Sequence, residues 1–170
     1  MRFAYADPPY LGQGRRYDEH HAESRTWDSL ATHAVLVERL VAEYPDGWAL
    51  SLSSTSLHAI LPLCPGDVRV MAWVKPFAVF KPNVNPAYAW EPVIVRGGRK
   101  RGRDLPTQRD WVSANITLRK GLVGAKPPAF CDWLLEVLNV QSGDSIDDLF
   151  PGTGSLAAAV ERRFTPKGAA

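Results

Sequence analysis

The chain has 170 residues, of which 45% are hydrophobic and 22% charged, and its formal net charge is +2. The length fits one domain with a sizeable core, the composition is that of a soluble globular protein rather than a disordered or fibrous one, and so small a net charge excludes nucleic-acid binding by bulk charge alone. Cys64 and Cys131 lie in apolar surroundings without a CxxC pair, which reads as two reduced, buried thiols of a cytosolic protein rather than a disulfide or metal site.

In chain order, "RFAYA" (2–6) is a short apolar run stopped by Pro8, predicting a buried strand. The polar stretch 11–27 carries two glycines and is expected to be a mobile loop. Asp28 is a plausible N-cap for a helix with apolar residues at Leu30, Ala34, Val37, Leu40, Val41 and Tyr44, ended by "PDG". Strands follow at 48–53, 67–74 and 92–97, with a short helix at 54–64. Residues 98–124 are polar and basic. "KPPAFCDWLLEVLNV" (126–140) predicts a helix with proline near its start, and "SIDDLF" (145–150) a strand that runs through "PGTG" into a helix at 155–164. Alternating strands and helices imply one α/β domain around a mostly parallel sheet. The 73–92 connection lacks a clear helix, so the strands it joins are expected to pair antiparallel.

Two stretches carry chemistry. "DPPY", Asp7-Pro8-Pro9-Tyr10, stands at the carboxyl end of a buried strand, where open α/β sheets bind ligands; its structural alternative is a Pro-Pro turn with an exposed acid. "DLFPGTG" (148–154) is a strand entering a glycine turn that opens a helix, which allows close backbone approach and offers free amides. By itself such a turn is often purely structural, and it has neither GxGxxG spacing nor a P-loop lysine.

Taken together, the two motifs resemble those of the S-adenosylmethionine-dependent amino-group DNA methyltransferases, which modify adenine N6 or cytosine N4. Asp7-Pro8-Pro9-Tyr10 is similar to the family's [DNS]-P-P-[YFW] motif, and Asp148, Phe150, Gly152 and Gly154 to its D-x-F-x-G-x-G turn. With the first motif leading and the second trailing, the order resembles the permuted, beta-type arrangement. "WVKP" (73–76), "WEPVIVR" (90–96) and "GAKPPAFCDWLLEVL" (124–138) are similar to further family segments, so the likeness spans about residues 2–164.

The resemblance implies a Rossmann-like, circularly permuted methyltransferase sandwich. It implies transfer of a methyl group from S-adenosyl-L-methionine to the N6 amine of an adenine flipped out of DNA. N4-cytosine in DNA, adenine in RNA (the less expected partner) and a degenerate DNA-binding subunit are the alternatives. Asp7 and the Pro8 carbonyl would accept the amine N–H groups, on a backbone that Pro8 and Pro9 stiffen, and Tyr10 would offer a stacking face or be a core aromatic. Asp148, Phe150, Gly152 and Gly154 would line the cofactor pocket together with Asp7. Lys126 and Pro127 would cap its methionine end, Lys126 being otherwise a surface lysine at a helix start.

The run "RGGRKRGR" (96–103) places Arg96, Arg99, Lys100, Arg101 and Arg103 in a glycine-broken loop suited to phosphates, unless it is a solvated charge run. Arg15 and Arg16, after the first motif, are expected to help. Residues 104–123 hold the place of a short target-recognition insertion, at about 97–124 with the basic loop. His20 and His21 lack a third ligand, so no metal is expected. After the glycine turn the family usually adds a strand whose acid holds the cofactor ribose. "RRFTPKGAA" offers none, so a reduced sheet of about five strands is expected. Three readings stay open: weak cofactor binding, missing groups borrowed from a homodimer or a catalytic partner subunit, or a degenerate fold kept as a DNA-binding subunit. No signal peptide or membrane-spanning run is evident, and the expected setting is the cytoplasm, for a bacterial or phage-encoded protein.

Overall fold

In the computed structural model, which describes residues 1–17, 24–77, 83–117 and 125–165, the N-terminal apolar run is β1 (Arg2–Ala6), buried at four of its five residues. Pro8 and Pro9 lack amide hydrogens and end the ladder there. Helix α1 (Leu30–Glu43) carries the chain to β2 (Gly47–Ser51), which pairs parallel with β1. After the short helix α2 (Leu57–Ile60) come β3 (Arg69–Val74), β4 (Trp90–Gly97) and β5 (Trp111–Ser113). Helix α3 (Pro128–Leu138), β6 (Ser145–Asp148) and α4 (Ser155–Phe164) complete the fold. The sheet has six strands in the order β5-β3-β4-β2-β1-β6. β4 is antiparallel to β3, as the missing crossover helix predicts, and also to β2, and the other pairings are parallel.

Three expectations are corrected. The sheet has one strand more than the expected five, because β5 lies inside the short insertion at 104–123. Three residues are too few to show alternation; β5 forms because β3 offers a free edge, with Ala114 N–H bonded to the Val74 carbonyl and Ala72 N–H to the Asp110 carbonyl. The stretch 11–27 also contains short 3₁₀ turns, at Gly14–Tyr17 and Ser24–Asp28. Asp28 does not cap α1, which starts after Ser29. Its carboxylate instead accepts the Gly14 N–H at 2.9 Å, tying the two turns together.

The pleat divides the core in two. Phe3 and Tyr5 of β1 face α3 and α4, in a cluster with Ala49, Trp73, Val93, Val95, Phe130 and Leu134. Ala4 and Ala6 face α1, with Leu40, Tyr44, Trp48, Leu50 and Ile94. Alternate residues of every strand therefore have a set destination. Among the described residues no helix is long and apolar enough to cross a membrane.

Candidate active site

Extending that alternation past the strand ends builds the site. Asp7 follows Tyr5 by two, Ser51 follows Ala49, Lys75 follows Trp73, Glu91 precedes Val93, and Asp148 follows Ile146. Each of these reference residues belongs to, or packs against, the α3-side cluster. β4 runs against its neighbours, so its first residues reach the edge where β1, β2, β3 and β6 end. Five strands thus deliver polar side chains to one rim and one face. Lys126 meets them from above, just before α3.

The polar groups there form one network. Lys126 Nζ lies 2.9 Å from Asp7 Oδ1 and 3.4 Å from Glu91 Oε2, and it donates to the Tyr10 hydroxyl at 3.0 Å. Lys75 Nζ pairs with Glu91 Oε1 at 2.9 Å. The Tyr10 hydroxyl is 2.7 Å from Glu91 Oε2 and 3.2 Å from Asp7 Oδ1. One phenolic proton cannot serve both fully, and the shorter contact favours Glu91. Because Nζ is 3.0 Å from the phenolic oxygen but 5.5 Å from the ring centre, the ammonium lies off the tip of Tyr10 rather than above its face.

Burial and the Asp7 and Glu91 carboxylates push the Tyr10 phenol well above its ordinary value, so it remains a donor. Burial likewise raises the Asp7 carboxyl, against the pull of Lys126. Glu91 ends on the other side. Burial acts to raise it, but Lys126 and Lys75 outweigh that and hold it down at about 2. The two carboxylates differ because Glu91 has two ammonium partners and Asp7 has one. Tyr5, under the site, bonds Ser51 Oγ at 2.9 Å, and burial raises its phenol too.

Beside this network the β6 strand enters the glycine turn. Asp148 pairs in register with Tyr5. Burial raises its carboxyl while the Phe150 N–H, at 3.2 Å, draws it back. Gly152 has φ +46° and Gly154 φ +71°, the left-handed region that glycine enters freely. A Cβ on Gly154 would meet nothing within 4 Å. The turn therefore has open space beside it, at the N-terminus of α4. Phe150 is held edge-on by Trp27, ring centres 5.0 Å apart.

The structure brings Asp7, Tyr10, Lys126 and Asp148 together. Lys126 is no surface lysine: it is 8% exposed. Tyr10 is also 8% exposed, anchored by its hydroxyl. Pro127 is the N-cap of α3. Arg15 is exposed on the 3₁₀ turn after Tyr10, and the backbone of Arg16 belongs to the same turn. His20 and His21 lie outside the described residues, as does the end of the insertion at 118–124.

The basic run is not beside the site. It leaves β4 at Gly97, which pairs with Gly47 at the start of β2, the opposite edge of the sheet. Arg96 pairs with Asp67 at 2.8 Å, Arg99 with Asp144 at 2.7 Å and Arg101 with Glu136 at 2.7 Å. Lys100 and Arg103 are exposed. The glycine-broken loop expected to suit phosphates is in large part a set of structural ion pairs.

Glu91 and Lys75 received no site role from sequence reasoning. Their signal was present: a charged residue at an apolar strand's end, two positions from a core residue. Among the described residues no three His, Cys, Asp or Glu side chains group as metal ligands.

No protein-family model and no curated protein matches the sequence. Among solved structures the chain is similar to M1.HpyAVI in complex with SAM, with TM-score 0.60 and 14% identity over 95% of this chain and 77% of that one. A second structure of M1.HpyAVI gives TM-score 0.52 and 16% identity over 95% and 75% of the two chains. The likeness shows the fold alone, a Rossmann-like α/β sandwich.

Proposed function

We propose that this protein transfers a methyl group from S-adenosylmethionine to the N6 amine of an adenine flipped out of DNA. The observation that carries the reading is that the two motifs, far apart in sequence, leave adjacent parallel strands at one rim, with Asp7 following Tyr5 and Tyr5 opposite Asp148. A solved SAM complex of similar fold supports it.

The cofactor supplies a sulfonium methyl group. Asp148, Phe150, Gly152 and Gly154 hold it, with Asp7 at its border and Lys126 and Pro127 at its methionine end. The chain's task is the amine. Its lone pair is delocalised into the purine ring, so it must be held and aimed rather than merely approached. Asp7 and the Pro8 carbonyl accept its N–H groups, and Pro8 and Pro9, with φ fixed, keep those acceptors in place. When bound, the cofactor would supply the methyl carbon to the nitrogen lone pair and keep the carbon–sulfur pair on sulfur, while the surplus amine proton would pass to solvent. Tyr10, buried and fixed through Glu91, would wall the pocket that the entering base meets, after a flipping cost of roughly a few kcal/mol. Arg15 and Arg16 contact phosphates beside the site, and Lys100 and Arg103 meet any nucleic acid that reaches the far edge.

The test is transfer of tritiated methyl to unmethylated duplex, followed by digestion to nucleosides. Label on deoxyadenosine is expected. Label on deoxycytidine would replace N6 by cytosine N4, and label on RNA alone would replace the substrate. No label, with no S-adenosylmethionine binding by calorimetry, would favour a non-catalytic DNA-binding subunit.

A further inference from the structure

One oxygen of the carboxylate assigned to the substrate amine, Asp7 Oδ1, already has a donor. Lys126 Nζ stands 2.9 Å from Asp7 Oδ1, with 7% of the lysine side chain exposed. Tyr10 competes weakly for that oxygen, since its proton goes to Glu91. A neutral amine does not displace an ammonium from a carboxylate in a site that water hardly reaches, because the charge-assisted bond is the stronger. Only a negative group can draw Lys126 away. Glu91 is poorly placed to do so: Lys75 holds its Oε1 at 2.9 Å, and its Oε2 already accepts from Tyr10.

The charged and titratable groups around Asp7 come from every neighbouring element: Tyr5 from β1, Glu91 from β4, Lys75 after β3, Asp148 from β6, and Tyr10 and Lys126 from the flanking loops. If Lys126 moves, Lys75 still compensates Glu91. The uncompensated charge then falls on Asp7. We propose that Lys126 is a charge-operated latch on Asp7, occupying its acceptor oxygen until the methionine carboxylate of the cofactor takes the ammonium and frees Asp7 for the amine. The proposal rests on the cofactor reading above and adds an order to it, cofactor before base.

The experiment follows the Asp7 carboxyl by 13C NMR titration of aspartate-labelled protein, assigned with Asp7→Asn. It compares free protein, protein saturated with S-adenosylhomocysteine, and protein with the decarboxylated analogue of that compound, which keeps the amine; calorimetry measures binding of each. S-adenosylhomocysteine is expected to raise the Asp7 midpoint by about one to three pH units, and the decarboxylated analogue to leave it in place. Lys126→Met should show the raised midpoint without ligand. Lys126→Arg, which keeps the charge, should show the wild-type ligand-free midpoint and controls for a folding defect. Binding of S-adenosylhomocysteine without movement of Asp7, or an equal shift from the decarboxylated analogue, overturns the latch and leaves the cofactor site standing. Absence of S-adenosylhomocysteine binding overturns both.

Discussion

Tyr5 and Asp148 are register partners on the parallel strands β1 and β6. Through that pairing the first motif of the chain and the last become neighbours. Asp7, two residues beyond Tyr5, and the glycine turn, directly beyond Asp148, then open on the same rim. The proximity is close enough that the Asp7 charge contributes to raising the Asp148 carboxyl, behind burial.

Asp7→Ala is expected to lower methyl transfer by at least about a hundredfold, the scale for losing a positioned catalytic group. DNA binding should stay nearly intact, because Asp7 lies inside the pocket with 20% of its side chain exposed. Single-turnover transfer and filter binding on one preparation separate the two effects. Equal loss of both would remove the role given to Asp7.

Glu91→Gln is expected to destabilise the fold by about 3 kcal/mol, since it takes from the largely buried Lys75 ammonium its Glu91 carboxylate while Lys126 keeps Asp7. Urea unfolding at pH 7 measures this. A change within a few tenths of a kcal/mol would mean that Glu91 behaves as a surface acid.

The same substitution tests a pH dependence. Glu91 is lowered from 4.5 to about 2 in the folded protein, so its stabilising contribution is present above 4.5 and is lost as the pH falls from there through 2. Asp7, raised by burial, acts in the opposite sense: its contribution is present below its ordinary value and is lost as the pH rises through its folded value. The wild type should therefore lose stability on acidification, with Asp7 offsetting part of the loss. Glu91→Gln should flatten the curve over that window. Parallel curves for the two proteins would assign the acid sensitivity elsewhere.

Gly154→Ala places a Cβ at φ +71°, which costs about 1–2 kcal/mol of stability. That Cβ also enters the open space where the cofactor is proposed to lie, so S-adenosylmethionine affinity should fall more than about tenfold, or about 1.4 kcal/mol. Calorimetry beside urea unfolding distinguishes the two. Lost stability with unchanged affinity would place the cofactor away from the turn.

Arg15→Ala should reduce the slope of log affinity against log salt by about 1. Arg99→Ala should leave that slope unchanged and lower the urea midpoint, because Arg99 is occupied by Asp144 at 2.7 Å. The reverse pattern would return the phosphate contacts to the basic run.

Much of the fold was legible because local rules set it. β1 and α4 fall where the apolar spacing puts them, and the two prolines after Asp7 end a strand wherever they occur. The motifs themselves, DPPY and DLFPGTG, are short and contiguous, so a single sequence displays both. The limits of local reading appear at Asp28 and β5. Asp28 has the form of an N-cap yet bonds the Gly14 amide, and β5 exists only because β3 leaves it an edge.

Sequence by itself determined the helices, every strand except β5, the acid and prolines at one strand end, and the glycines at another. Tertiary structure decided which charges meet. Whether Lys126 lay on the surface or inside was open until packing buried it between Asp7 and Glu91. Glu91 reaches the rim only because β4 runs antiparallel to β2 and β3. The basic run, prominent in the sequence, lies at the far edge for the same reason. Backbone propensity and side-chain period act over a few residues and can be read along the chain. Strand direction and long-range ion pairing depend on where distant segments come to rest, and here they place the acids and ammonium groups of the site.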